Sequence, residues 1–279
     1  MRSITLKNVE DFERYLHEEE KSFNTIEKYL RDIRCFVKFI GNFNVEKPVV
    51  IEYKKYLCEE YAPKSVNSML SSLNAFFTFM GWYDLKVKTL KIQRRIFIDK
   101  EKELTKPEYD RLLNCAKSRG NEKLWLLMQT LGSTGIRISE LRFITVKAIK
   151  KQIVSIKCKG KLRTIFLPGA LCAQLGKYAK KMKIEAGPLF IKKKGKPLDR
   201  SSIWKMMKAL CDDANVSKLK VFPHNFRHLF ARTFYSIEKD IVRLADLLGH
   251  SNIETTRIYT MESGDVHRML IQKLGLLQM

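Results

Sequence analysis

A chain of 279 residues is long enough for two domains, because single hydrophobic cores stop growing near that length. Its 53 Lys+Arg against 30 Asp+Glu give a formal net charge of +23, which gathers polyanions and favours nucleic acid over an anionic membrane surface as partner. No apolar run is long enough to span a bilayer, and Met1 to Lys7 lacks the apolar core of a secretory signal, so no membrane role is expected and the protein is expected in the cytoplasm.

The first ninety residues read as helices. A helix is expected over about Val9 to Glu20. The next runs from Thr25 to Gly41, where Ile26, Tyr29, Leu30, Ile33, Phe36, Val37 and Ile40 follow the helical period, Asn24 with Glu27 resembles a capping box, and Gly41 marks the stop. A third is expected over about Val49 to Glu60. The fourth starts after Pro63, carries the stripe Val66, Met69, Leu70, Leu73, Phe76, Phe77 and Met80, and ends at Gly81. Apolar stripes of this kind form a core and carry no chemistry.

From Leu85 to Lys106 the periodicity gives way to charge, which marks an interdomain linker where Lys91, Arg94 and Arg95 can meet phosphates. The expected division is a helical first domain at 1–84, a linker at 85–104 and a second domain at 105–279. Thr105, Pro107 and Glu108 together signal a helix start. A buried helix containing Leu124 to Leu131 follows, and the turn Gly132-Ser133-Thr134-Gly135 delivers Arg137 to the start of the next helix, with Glu140 behind it. Ile153 to Ile156 and Thr164 to Leu167 read as two strands of a hairpin with Lys159-Gly160-Lys161 at its tip. Helices are expected at about Ala170 to Lys183 and at Ser201 to Asp213, the second capped by a Ser, with the basic loop 192–196 between them as a further phosphate contact.

Pro223 opens a helix that places His224 and Arg227 at i and i+3 on one face, with His228 off that face. Ile241 to Leu248 is helical and closes at Gly249, so His250 lies at a helix end, and Tyr259 comes nine residues later near the end of a short helix. Val266 to Leu277 has the spacing of a small amphipathic tail helix. Charge divides unevenly: residues 1–90 hold 14 Lys+Arg and 13 Asp+Glu, leaving 39 and 17 for the rest. Cys35, Cys58, Cys115, Cys158, Cys172 and Cys211 form no metal-ligand or disulfide pattern and are expected to be reduced and mostly buried.

In-line displacement at a phosphodiester needs a nucleophile, cations on the non-bridging oxygens and a proton for the leaving oxygen. Tyr259 reads as the nucleophile. Arg137 and Arg227 present planar, permanently charged forks that hold the transition state without a metal, so no cofactor is expected. Cations are expected to lower the phenol pKa from about 10, with His224 accepting the proton.

These residues, in this chain order, resemble the tyrosine recombinase (phage integrase) family. The resemblance covers essentially the whole chain, and Leu247-Leu248-Gly249-His250 followed by Tyr259 is its most specific signal. It implies a mainly α architecture with a small β-hairpin, in which a helical core-binding domain and an α+β catalytic domain clamp DNA. It assigns Arg137 as the first arginine with Glu140 its supporting acid, Lys159 as the hairpin lysine and general acid, His224 and Arg227 as the His-x-x-Arg box, His250 at the His/Trp position and Tyr259 as nucleophile. Phe226 stands where Leu is usual, and the hairpin turn is one residue shorter than in many members, which leaves Lys161 as the alternative to Lys159. The implied reaction links a DNA 3′-phosphate to Tyr259, frees a 5′-hydroxyl and needs no ATP or metal. The implied partners are duplex DNA with inverted half-sites and a homotetramer assembled on it. About ninety residues before the linker leave no room for an arm-binding domain, so a minimal, Xer-like recombinase is expected, serving a mobile element or resolving chromosome dimers. The alternatives are a type IB topoisomerase and a non-catalytic DNA-binding regulator.

Overall fold

The computed structural model describes residues 2–41, 44–93, 99–158, 161–192, 195–261, 268–269 and 271–274. The chain divides into two compact units, Met1–Arg94 and Arg95–Met279. Among the described residues the architecture is mainly helical with one two-stranded sheet, as the sequence leads one to expect.

The first unit holds α1 (Leu6–Glu18), α2 (Phe23–Ile40), α3 (Lys47–Glu60) and α4 (Pro63–Phe79). Helix α2 is capped by the Ser22 side chain, which accepts from the Thr25 amide, and not by Asn24. Ser22 is the first residue able to cap whose own backbone is extended, the geometry an N-cap requires. The stripes of α1, α2 and α4 meet in one core, where Phe12 stands edge-on to Phe76 at 5.2 Å and Ile33, Phe36, Leu70 and Phe77 are fully enclosed. Buried Asp32 accepts from Lys28 Nζ at 2.6 Å and from Ser72 Oγ at 2.8 Å, tying α2 to α4 through satisfied polar groups. Residues after α4 stay with this unit: the Asn74 amide brackets Val87 through bonds of 2.8 and 3.0 Å, and the Asn67 amide brackets Leu90 through bonds of 2.9 and 2.7 Å.

The second unit opens with α5 (Lys106–Ser118), whose start is the reciprocal Thr105–Glu108 capping box read from the sequence. Helix α6 (Glu122–Thr134) is central and packs against α5, against α8 (Gly169–Lys181), α9 (Arg200–Lys208) and α10 (Pro223–Glu238). The lines of contact explain why Leu124, Leu126, Leu127, Met128 and Leu131 are all buried: a helix enclosed on several sides is apolar nearly all round. A 3₁₀ segment (Ile138–Phe143) and α7 (Val146–Lys151) lead into β1 (Ile153–Cys158), which pairs antiparallel with β2 (Lys161–Phe166) from Ile153 opposite Phe166 to Cys158 opposite Lys161. Helix α9 is capped by Asp199, not by a serine, and is shorter than expected. Helix α11 (Ile241–Leu248) and the 3₁₀ turns Ile253–Thr255 and Arg257–Tyr259 follow α10. Half of the tail expected over Val266 to Leu277 lies outside the described residues.

The thiols depart from expectation. Cys172 and Cys211 are buried, Cys115 is half-buried, and Cys35 and Cys58 are exposed. Both exposed thiols fall on the outer faces of α2 and α3, between core positions of the helical period.

Candidate active site

The site is built around the C-terminal end of α11. A helix leaves its last carbonyls without intrahelical partners and carries partial negative charge there. Three arginines from three other parts of the second unit supply the missing donors. Arg163 Nη2, from β2, donates to Leu247 O at 3.2 Å; Arg227 Nη2, from α10, donates to Leu248 O at 2.7 Å; and Arg137 Nη2, ahead of the first 3₁₀ segment, donates to Gly249 O at 3.3 Å. The Leu-Leu-Gly-His motif is therefore a docking rail on which the cations are set in order.

Two glycines permit this approach. Gly249 ends α11 at φ +61°, and a Cβ there would meet Arg163 Cδ at 2.5 Å. Gly135 ends α6 at φ +60°, its carbonyl accepts from Arg227 Nη1 at 2.6 Å, and a Cβ there would meet the Phe230 ring at 2.4 Å. Left-handed backbone and close packing both demand glycine at these two positions.

Glu140 organises the arginines from beneath. Its carboxylate accepts from Arg163 Nη1 at 2.9 and 2.7 Å, from Arg137 Nη1 at 3.1 Å and from the Arg137 amide at 2.9 Å. Arg227 is 1% exposed, and burial together with Arg137 and Arg163 pushes its pKa down to about 10, so it stays charged at neutral pH. Burial likewise lowers Arg163, against the attraction of Glu140. Such a concentration of cations is costly without an anion, and Glu140 offsets only part of it.

His250 follows directly on the rail. Its Nε2 lies 3.0 Å from Arg227 Nη2 and its Nδ1 lies 2.8 Å from Thr256 Oγ1. Because a guanidinium only donates, Nε2 must accept and Nδ1 carries the hydrogen toward Thr256. Burial, then Arg227, Arg137 and Arg163, hold His250 down to about 4, consistent with a neutral ring. His224 lies on the exposed side of α10, and crowding by the domain, then His228, Arg227 and Arg137, lower it to about 4; solvent screens this shift more than that of half-buried His250.

Tyr259 is 4% exposed and its ring lies parallel to that of His250 at 6.3 Å. The sequence leads one to expect a phenol pKa lowered by cations. The opposite holds: burial raises it more than Arg227 and Arg137 draw it down. Without DNA the phenol keeps its proton. His228 corrects a second expectation, for it is not off the working face. Its ring lies 4.5 Å from His224 and 5.2 Å from Tyr259, edge-on in both cases. Four residues along a helix turn the side chain by only about 40°, so His224 and His228 are neighbours.

Of the residues singled out in the sequence, the fold brings Arg137, Arg227, His250 and Tyr259 to one point, with Glu140 beneath and His224 alongside. Lys159 lies outside the described residues, as does Gly160; Lys161 begins β2, paired with Cys158 at the end of β1. Arg163 is the residue sequence reasoning left among the hairpin cations. Its signal was available in the alternation of β2, where Arg163 shares a face with buried Ile165 and Leu167.

Comparison with known proteins agrees with this geometry. The phage integrase family profile matches residues 102–264, and the phage integrase N-terminal SAM-like domain matches residues 9–82. The tyrosine recombinase XerA of Pyrococcus furiosus is 28% identical over 290 residues, covering 100% of this chain and 98% of that one. The tyrosine recombinase XerD of Halalkalibacterium halodurans is 27% identical over 282 residues, covering 90% and 92%. Among solved structures, a lambda integrase dimer bound to a COC′ core site superposes with a TM-score of 0.74 at 17% identity, covering 93% of this chain and 96% of that one. The Tn1549 transposon integrase in complex with transposon right end DNA superposes with a TM-score of 0.73 at 19% identity, covering 96% and 99%. With a family profile matched over more than half its length and the arginine, histidine and tyrosine positions gathered at one point, this chain belongs to the phage integrase family of tyrosine recombinases.

Proposed function

We propose that this chain, a site-specific recombinase that cuts and rejoins DNA, does so through a 3′-phosphotyrosyl link to Tyr259 and acts in the integration or excision of a mobile element. The observation that carries the mechanism is the convergence of Arg137 and Arg227 on the end of α11 beside His250 and Tyr259. The scissile phosphate takes the place of the missing anion. Arg137 and Arg227 donate to its non-bridging oxygens, and because their forks are already fixed by Glu140, Gly135 O and Leu248 O they need little reorganisation as charge develops. Arrival of the phosphate lowers the cost of holding these cations together and draws His224 and His250 toward their charged forms.

In the forward step the phenol oxygen forms a bond to phosphorus, the bond to the 5′ oxygen breaks, and that oxygen takes a proton from Lys159, with Lys161 the alternative donor. Attack by a partner strand's 5′-hydroxyl reverses the chemistry at a new junction, and the covalent link conserves the bond energy. The partner is duplex DNA with inverted half-sites, and four copies assemble on it with their C-terminal segments exchanged. The two units, joined through 85–104, clamp the duplex, and the protein works in the cytoplasm; no described helix is long and apolar enough to cross a membrane. Resolution of chromosome dimers is the second reading, favoured by the Xer-named relatives that match nearly end to end.

Two experiments test the mechanism. Tyr259→Phe should abolish the covalent protein–DNA adduct while leaving duplex binding nearly intact, since binding is dominated by phosphate contacts. An adduct surviving in that variant would sink the assignment. Lys159→Ala should slow cleavage of ordinary DNA but recover when sulfur replaces the bridging 5′ oxygen, because a thiolate leaves unaided. Recovery in Lys161→Ala alone would transfer the role to Lys161.

A further inference from the structure

We propose that His228, held by Glu103, is the group that takes the proton from the Tyr259 phenol. The inference rests on the reading of Tyr259 as nucleophile and differs from it in assigning the base. A buried phenol that keeps its proton needs an acceptor at the ring when it attacks. His250 lies against the ring, yet both its nitrogens are engaged, Nε2 by Arg227 and Nδ1 by Thr256. His224 packs on His228. His228 is the imidazole that stands edge-on to Tyr259 at 5.2 Å and has a nitrogen to spare.

The tautomer follows from its partners. His228 Nδ1 faces Glu103 Oε1 at 3.5 Å, and Glu103 Oε2 accepts from Arg232 Nη1 at 3.2 Å. His228 and Arg232 together hold the Glu103 carboxyl below its ordinary range despite its burial, so it is ionised and only accepts. Nδ1 therefore carries the hydrogen, and the lone pair sits on Nε2. That atom is enclosed and has no hydrogen-bond partner. A buried acceptor without a donor is unfavourable and rare. The ring that packs edge-on against this imidazole is that of the nucleophile itself.

Among the described residues, the charged and titratable groups around His228 include Glu103 ahead of α5, Tyr259 on its 3₁₀ turn, and His224 and Arg232 on α10. In the cleavage step the phenol oxygen bonds to phosphorus, the phosphorus–O5′ bond breaks, the phenol proton passes to His228 Nε2, and O5′ takes a proton from the hairpin lysine. In rejoining, His228 returns the proton as Tyr259 leaves. Glu103 holds the ring in the accepting tautomer and faces the imidazolium that forms, as the buried acid does in a Ser-His-Asp arrangement.

The first test needs no DNA. In ¹⁵N-histidine NMR of the full chain, with His228 assigned through His228→Gln, the neutral ring should carry its proton on Nδ1, and Glu103→Gln should mix the tautomers. A proton on Nε2 in the parent protein overturns the proposal. The second measures single-turnover adduct formation against pH, on the duplex located by footprinting the DNA beside the gene. His228→Gln should slow the step by about 10²-fold at and below neutral pH, with the gap closing at alkaline pH where the phenol ionises unaided. Glu103→Gln, which preserves shape and removes only charge, should move the acid limb to lower pH. An equal loss at every pH, a parental profile, or a pH-dependent gap found in His224→Gln instead overturns the assignment. Absence of any adduct with the parent protein would overturn the recombinase mechanism, while the tautomer result would still decide the state of His228.

Discussion

Burial of His250, and after it the charge of Arg227 beside the ring, set how the site responds to acid. His250 lies at about 4 in the folded chain against 6.5 for the free side chain, with His224 shifted the same way. Between those values the unfolded chain binds a proton that the folded one does not. Stability therefore rises with pH across this window and is lost as pH falls through it. Melting temperature should drop on acidification from about pH 6.5 to 4, and His250→Gln should flatten that slope in the DNA-free protein. An unchanged slope in His250→Gln would place the acid sensitivity elsewhere. At this scale the sequence was only partly readable. Arg137, Arg227, His250 and Tyr259 could be picked out because their chemistry demanded a phosphate. For Arg163 the alternation of β2 gave the inward face, shared with Ile165 and Leu167, but not its partner, because the contact with Glu140 joins residues far apart in the chain. The phenol's raised pKa was equally hidden, since it depends on how deeply the final 3₁₀ turn is buried.

Helix ends do most of the positioning at the next scale. The end of α6 gives Gly135 O to Arg227, and the end of α11 gives three consecutive carbonyls to Arg163, Arg227 and Arg137. Gly249 was legible as a helix stop, whereas its second duty, leaving room for Arg163, required the fold. Gly249→Ala should cost about 1–3 kcal/mol for the left-handed backbone alone. It should also displace Arg163 from Leu247 O and loosen the Glu140 cluster. In denaturant titrations the variant should lose that stability, and its adduct formation should slow at least tenfold, the effect of roughly 1.4 kcal/mol in the barrier. Parental cleavage by Gly249→Ala would show that Arg163 is not needed to set the rail. Where helices begin, the sequence was less reliable: Thr105 and Pro223 were evident, but Ser22 and Asp199 cap α2 and α9 in place of the residues expected. Several polar residues cluster at each start, and only the backbone conformation decides which one caps.

On the scale of the whole molecule, charge and apolar surface divide the labour. Residues 1–90 have nearly balanced charge, whereas the remainder holds 39 Lys+Arg against 17 Asp+Glu, so polyanion attraction belongs to the unit that carries the chemistry. The helical first unit was legible from its stripes alone. The C-terminal tail was legible as an amphipathic pattern, and its described residues Met269, Ile271 and Leu274 are 54%, 66% and 62% exposed. Apolar side chains recurring on one segment and left in solvent are the mark of a surface that another molecule covers. Exchange between two duplexes needs four active sites of which half fire at once, so each protomer must sense its neighbour. In the four-copy assembly proposed above, a tail that begins a few residues after Tyr259 and docks on the next copy would link nucleophile to neighbour, and such a heterologous contact would close into a ring. Deleting the chain after Gly264 should spare binding of one copy to a half-site, weaken cooperative occupancy of paired half-sites and stop strand exchange, as read by mobility shift and by recombination of two duplexes. If the truncated protein still exchanged strands at the parental rate, the tail would carry no signal between protomers, and its apolar residues would need another partner.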